Sequence, residues 1–129
     1  MVMRDLALRI IKGEPFSIDA KIYFSNEYVY AKDVALAIDL ACKAREPKQR
    51  IYNAGSGVVT GPETLAQTVR ELAPQTEVKV TGGASGTPSD KSAPLDLSTS
   101  KAELGYTPRF PLKEALRNYM EELWEEQRS

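Results

Sequence analysis

Residues 95–124 constrain the fold more tightly than any other stretch of this chain. In Leu95-Asp-Leu-Ser-Thr-Ser-Lys-Ala-Glu-Leu-Gly-Tyr-Thr-Pro-Arg-Phe-Pro, Ser100 and Glu103 have the spacing of a capping box. In such a box each side chain satisfies a backbone donor at the other's end of the first turn. Gly105 then supplies the left-handed residue that stops a short helix, and Pro108 keeps it from resuming. Pro111 opens a second helix, where Leu112, Ala115, Leu116, Tyr119, Met120, Leu123 and Trp124 fall on a single apolar stripe. A chain with this end must offer that stripe a core to lie on.

At 129 residues there is one domain's worth of chain, enough to bury roughly two-thirds of the surface it exposes when unfolded. The 42% apolar and 27% charged fractions predict a globular protein. Lys+Arg (17) nearly balances Asp+Glu (18) and neither sign forms a run, so there is no basic stripe to follow a nucleic-acid backbone. No segment approaches the ~20 apolar residues that cross a bilayer, and no leader pattern opens the chain, so a cytoplasmic location is expected. The chain contains no histidine. That excludes imidazole-based nucleophile pairs and zinc sites, and leaves tyrosine, lysine and carboxylates for any chemistry. The single cysteine, Cys42, lies in the apolar run Val34 to Ala44 and is expected to be an inert core thiol.

The order of elements predicts α/β layering. Met3, Leu6, Ala7, Ile10 and Ile11 have helical spacing, ended by Gly13 and Pro15. Phe16–Ile18, Ile22–Phe24 and Glu27–Ala31 read as short extended pieces. Asp33 is the expected N-cap of a helix running to Ala44, apolar nearly all round and so expected to be buried on most faces. Arg50–Ala54 reads as a strand, and Gly55-Ser-Gly-Val-Val as a loop. Thr60 and Glu63 form a second capping-box pattern, with Leu65, Ala66, Val69, Leu72 and Ala73 on one helical face. Val78 and Val80 alternate with Glu77 and Lys79 as in a half-buried strand. Residues 82–94 carry the glycines, prolines and serines of a loop.

Three patterns invite a chemical reading and lose it on geometry. Tyr28 and Lys32 match Tyr-x-x-x-Lys, an acid/base pair that requires a helix to set its members one turn apart, about 5.4 Å. Glu27–Ala31 reads as extended, and four residues of strand cover roughly 13 Å, so Lys32 does not assist Tyr28. Gly55, Gly57 and Gly61 are spaced one residue wider than the dinucleotide fingerprint, and a tight turn accounts for them. Glu121, Glu122, Glu125 and Glu126 oppose the macrodipole of the last helix and read as its solvated face.

Three blocks nevertheless occur in an order that resembles one family. Asn26-Glu-Tyr-Val-Tyr-Ala-Lys-Asp is similar to an "Arg-Asp-aromatic-aliphatic-His/Tyr-x-x-Asp" block. Tyr52-Asn-Ala-Gly-Ser-Gly resembles "Tyr-Asn-aliphatic-Gly-Ser/Ala-Gly", and Asp96 to Pro108 resembles "Asp-x-Ser-Lys-Ala-x-x-x-Leu-Gly-Trp/Tyr-x-Pro". These blocks are those of the NAD-dependent epimerase/dehydratase family, the extended short-chain dehydrogenases, in the C-terminal part. The resemblance implies an α/β fold spanning residues 1–129: the C-terminal, substrate-binding portion of that fold, with short strands alternating with helices and an amphipathic terminal helix.

In the intact family the N-terminal Rossmann part binds NAD or NADP and supplies the catalytic Tyr/Lys pair, while the C-terminal part closes over a nucleotide sugar or related small polar substrate. The resemblance therefore implies a partial epimerase, dehydratase or reductase, inactive alone. No catalytic, cofactor or metal residue carries over to it, and no cofactor is expected on this chain by itself. Partners implied are the small-molecule substrate and either the missing Rossmann part or a second copy, with no nucleic acid and no membrane. Matching positions name Asn26, Tyr28, Val58, Thr87 and Asp90 as substrate contacts. Two of them, Asn26 and Thr87, stand where the family has phosphate-binding arginines, which favours a less anionic substrate or other contacts. The alternatives are a non-catalytic ligand-binding or dimerisation module derived from the family, and a complete small enzyme using Tyr28 and Lys32. An apolar face left exposed, or self-association, is expected of the isolated chain.

Overall fold

The structure is a computed structural model that describes residues 2–23, 25–82 and 93–129. Helix α1 (Val2–Lys12) turns Leu6, Ala7 and Ile10 inward. It ends at Gly13, whose φ of 67° and bond from its N–H to the Ile10 carbonyl (3.0 Å) close the last turn. Strand β1 (Phe16–Asp19) follows and buries Ile18.

Next come strand β2 (Asn26–Glu27), helix α2 (Ala31–Lys43), strand β3 (Val59–Thr60) and helix α3 (Pro62–Leu72). Strand β4 (Val78–Thr81) precedes a π-helical turn at Ser100–Leu104 and helix α4 (Leu112–Arg128). β1 pairs parallel with β4, Phe16 opposite Val78, and β2 pairs antiparallel with β3, Asn26 opposite Thr60.

Two hydrophobic clusters result. The larger joins Leu6, Ile10, Ile18, Leu65, Val69, Val78 and Leu116, so that α1, α3 and α4 close over the β1–β4 pair. The smaller centres on Ala37, Leu104 and Tyr106, with Leu36, Leu40, Tyr52, Ala54 and Leu97 around it. The expected apolar faces of α1, α3 and α4 are those that pack. Trp124, at the end of the α4 stripe, stays half exposed.

Several expectations are corrected, each by a tertiary or turn interaction. Ile22–Phe24 is not a strand as far as it is described: the Ile22 and Tyr23 N–H groups both donate to the Asp19 carbonyl, and Lys21 N–H donates to its side chain (2.9 Å). That is a turn nucleated by one aspartate; Phe24 lies outside the described residues. α2 begins at Ala31 with Tyr30 as its cap, so Asp33 is inside the first turn. α3 is capped by Gly61, with Pro62 opening the helix as expected and Thr60 buried in β3 instead of capping.

Ser100 does not cap either. Its hydroxyl donates to the Asn53 carbonyl (2.6 Å), the cap position Thr99 makes no side-chain bond to the turn, and just ahead of it Asp96 accepts the Ser98 N–H (2.9 Å). Gly105 does stop this turn in the left-handed region (φ 71°). α2 buries Asp33 and Ala37 but leaves Ile38 60% exposed, and Cys42 is exposed beside it. The expected strand at Arg50–Ala54 does not form: residue 50 lies in a bend and residues 51–54 join no ladder among the described residues. Of the expected loop 82–94, only 82, 93 and 94 lie within the described residues.

Candidate functional site

The first family-like block forms β2 and the segment leading into α2, and two acidic side chains fix it. Glu27 accepts the N–H of Gly57 (2.8 Å) and of Leu95 (2.6 Å), tying β2 to the glycine loop and to the start of the 95–111 segment. A methyl group on Gly55 would overlap this carboxylate, so the glycine is required by close approach. Asp33, 1% exposed, accepts the N–H of Arg109 (2.8 Å) and Phe110 (3.1 Å). The chain ahead of α4 is thereby held against the start of α2.

Gly57, at φ 72°, turns the loop. The Glu27 carboxylate occupies the Gly57 N–H, and Pro62 at the first position of α3 offers none.

Tyr28 leads into an open groove of about 450 Å³ between the first turns of α1, residues 28–31 and α4. Its walls are mostly apolar: Met3, Val29, Phe110, Leu112 and Leu116, with the rings of Tyr30 and Tyr119. Arg4 is the cation on its wall, 3.6 Å from Glu126. Burial raises the Tyr28 hydroxyl above its ordinary pKa, with the Tyr23 hydroxyl adding to the shift. A phenol held that way donates a hydrogen bond and does not act as a base near neutral pH.

Lys32 is engaged elsewhere. Its ammonium pairs with Glu122 (2.5 Å) and donates to the Asn118 side chain (2.7 Å), where the Tyr30 hydroxyl also donates (3.0 Å). Burial, followed by the Glu122 charge, pushes Tyr30 up to about 12. Its ring meets Phe110 edge to face, centroids 5.0 Å apart. This cluster bolts the beginning of α2 to α4. It gives Lys32 a structural task; of the expected extended piece Glu27–Ala31 only Glu27 lies in a strand, and Ala31 and Lys32 already belong to α2.

Asn26 is exposed on β2, and continuing the β2–β3 register by one step sets Val58, 61% exposed, opposite Tyr28. Asn26, Tyr28 and Val58 thus border one ribbon, although only Tyr28 lines the groove. Thr87 and Asp90 lie outside the described residues. Sequence reasoning passed over Tyr30, Phe110 and Tyr119 as groove walls. The alternation of Tyr28 and Tyr30 was visible, but which stripe residues of α4 face the groove depends on the tertiary packing. Among the described residues, no group of three or more His, Cys, Asp or Glu gathers to hold a metal ion. No described helix is long and apolar enough to cross a membrane.

No protein-family profile matches the chain, and no curated protein matches its sequence. Solved structures do. The UDP-glucose 4-epimerase of Thermotoga maritima, determined with UDP-glucose, superposes with a TM-score of 0.75 at 25% identity, over 98% of this chain and 40% of the epimerase. The UDP-glucuronic acid 4-epimerase of Bacillus cereus, in complex with its sugar nucleotide and NAD, gives 0.71 at 16% identity, over 95% and 40%. An L-threonine dehydrogenase from Cupriavidus necator gives 0.70 at 20%, over 92% and 44%. The chain spans about two-fifths of the length of these proteins. Its mixed α/β fold, with few strands, is similar to that of the NAD-dependent nucleotide-sugar epimerases, the group to which the three sequence blocks pointed.

Proposed function

We propose that this chain is the substrate-side part of an NAD(P)-dependent epimerase, dehydratase or reductase acting on a nucleotide sugar or a related small polar substrate. On this reading residues 1–129 form one substrate-binding unit, and Asn26, Tyr28, Val58, Thr87 and Asp90 are its substrate contacts. Tyr28 acts as a hydrogen-bond donor and ring wall. Asn26 offers an uncharged carboxamide, so the strong bidentate grip of a guanidinium on phosphate is not available from that position. Nicotinamide binding and proton transfer fall to residues outside this chain. The single observation that carries the reading is the superposition on the Thermotoga maritima epimerase over 98% of this chain. The L-threonine dehydrogenase likeness supports a substrate range wider than sugar nucleotides.

A second reading, a ligand-binding module that works alone, is favoured by one feature. The aromatic groove beside Tyr28 is formed wholly by this chain. The two readings separate in a reconstitution experiment. The part of the Thermotoga maritima epimerase that this chain does not match is mixed with it, and NAD-dependent turnover of UDP-glucose is followed. The first reading expects turnover from the mixture and none from either part. A mixture that assembles without turnover, beside saturable UDP-glucose binding by this chain alone in calorimetry, would establish the second.

A further inference from the structure

A groove of about 300 Å³ opens where the C-terminal ends of α1 and α3 meet the middle of α4. Ile11, Leu72, Met120 and Trp124 give it apolar walls, and Arg117 and Glu121 stand on its α4 side. Trp124 is 50% exposed, and it is the only tryptophan of the chain. Tryptophan, methionine and arginine are the residue types that interface centres concentrate. A half-exposed indole among apolar neighbours is surface whose removal from water is favourable.

Other charges of α4 are paired with the rest of the chain: Lys113 with Glu71 (2.8 Å), Glu122 with Lys32 and Glu126 with Arg4. Among the described residues neither Arg117 nor Glu121 enters an ion pair, although they lie one turn apart on the same helix. A cation ahead of an acid is the weaker order for a pair within one helix. Both charges therefore stay free at the edge of an apolar patch.

We propose that this face is an interface between two copies of the chain, with α4 packed antiparallel on the α4 of the partner about a two-fold axis. Residues four apart are about 6 Å apart along a helix. An axis passing midway between Arg117 and Glu121 sets each Arg117 opposite the partner's Glu121, so two identical ion pairs form from charges left unpaired within the chain. Met120 then lies beside the axis, and Trp124 is covered by the partner's helix. A two-fold interface demands such self-complementarity, because one patch must carry both halves of every contact. A partner charged with a single sign would satisfy one of the two residues and strand the other. A contact through one helix face is small, so the dimer dissociates on dilution. It forms whether or not the chain is part of a larger enzyme.

Sedimentation of the full chain between about 1 and about 300 μM, with Trp124 emission followed alongside, tests the interface. The chain should pass from monomer to dimer over that range, its emission moving to shorter wavelength, and added salt should weaken the association. Arg117→Glu and Glu121→Arg, both at exposed helix positions, should each weaken it at least ~10-fold. Their helical circular dichroism at low concentration should match that of the parent chain. An equimolar mixture of the two variants should restore association, since each then supplies the charge that the other lacks. A monomer at every concentration would overturn the proposal, as would a dimer indifferent to either substitution or variants that fail to rescue one another. So would a monomer whose Trp124 emission shifts only with added phenylalanine, or only with the unmatched part of the Thermotoga maritima epimerase. Those results give the groove to a small zwitterion or to a companion chain.

Discussion

Two acidic side chains carry more of this architecture than their charge suggests. Asp33 sits almost fully buried and spends its carboxylate on the N–H groups of Arg109 and Phe110. Hydrogen bonds to an ionised acceptor contribute more than neutral ones, and removing the acceptor strands both donors. Asp33→Ala is expected to cost roughly 2–4 kcal/mol in urea unfolding, and Asp33→Asn about half as much, since one acceptor oxygen remains. A loss below about 0.5 kcal/mol for the alanine variant would show that water replaces the carboxylate there. In the sequence Asp33 had the look of an N-cap, because an aspartate ahead of an apolar run is the ordinary start signal. Its real partners lie more than seventy residues away, and no local pattern announces them. Glu27 was opaque for the same reason, although Gly55 and Gly57, which accommodate it, stood out as turn residues.

At the scale of elements, apolar periodicity located α1, α3 and α4 correctly, because each has a stripe wide enough to name its buried face. The caps did not follow, since Ser100 and Glu103 bond to Lys48, Tyr52 and Asn53 instead of to one another. Glu103 accepts the Tyr52 hydroxyl (2.6 Å) and the Lys48 N–H (3.1 Å), pinning residues 48–52 to the turn at 100–104. These bonds, the Tyr52 hydroxyl foremost, lower the Glu103 pKa, and the same contact raises that of Tyr52. The folded value of Glu103 lies below its unfolded value, so its contribution is complete above the ordinary glutamate range, about 4.3. It is lost as the pH falls through the lower folded value. Tyr52 has the opposite sign: its share is complete below about 10 and disappears as the pH rises through its raised value. The Tyr52 ring resonances should therefore shift together with the Lys48 amide as the pH falls below the ordinary glutamate range, and Glu103→Gln should abolish the linked shift. A Tyr52 signal that stays flat over that fall in the native chain would remove Glu103 as the pin.

The whole molecule is uneven in a way its composition conceals. Among the described residues nine buried side chains form the cluster under α1, α3 and α4, and three form the one under α2. α2 looked destined for burial on most faces, yet its outer surface carries Ile38 and Cys42 into solvent. Nothing within the sequence of α2 could reveal that, because the amount of core available to a helix is decided by the layer it lies on, here a few side chains from residues 52–54 and 97–106. Local stability follows buried contacts, so amides of α2 and of residues 98–106 should exchange through openings of lower free energy than those of α1, α3 and α4. Leu65→Ala, in the larger cluster, should cost about 2–5 kcal/mol and speed exchange throughout the chain. Leu104→Ala should loosen α2 and residues 98–106 while α1 and α3 keep their protection. If both variants instead accelerate every helix to the same extent, the two clusters unfold as one cooperative unit. The smaller one would then draw its stability from the larger, with no need of a covering partner.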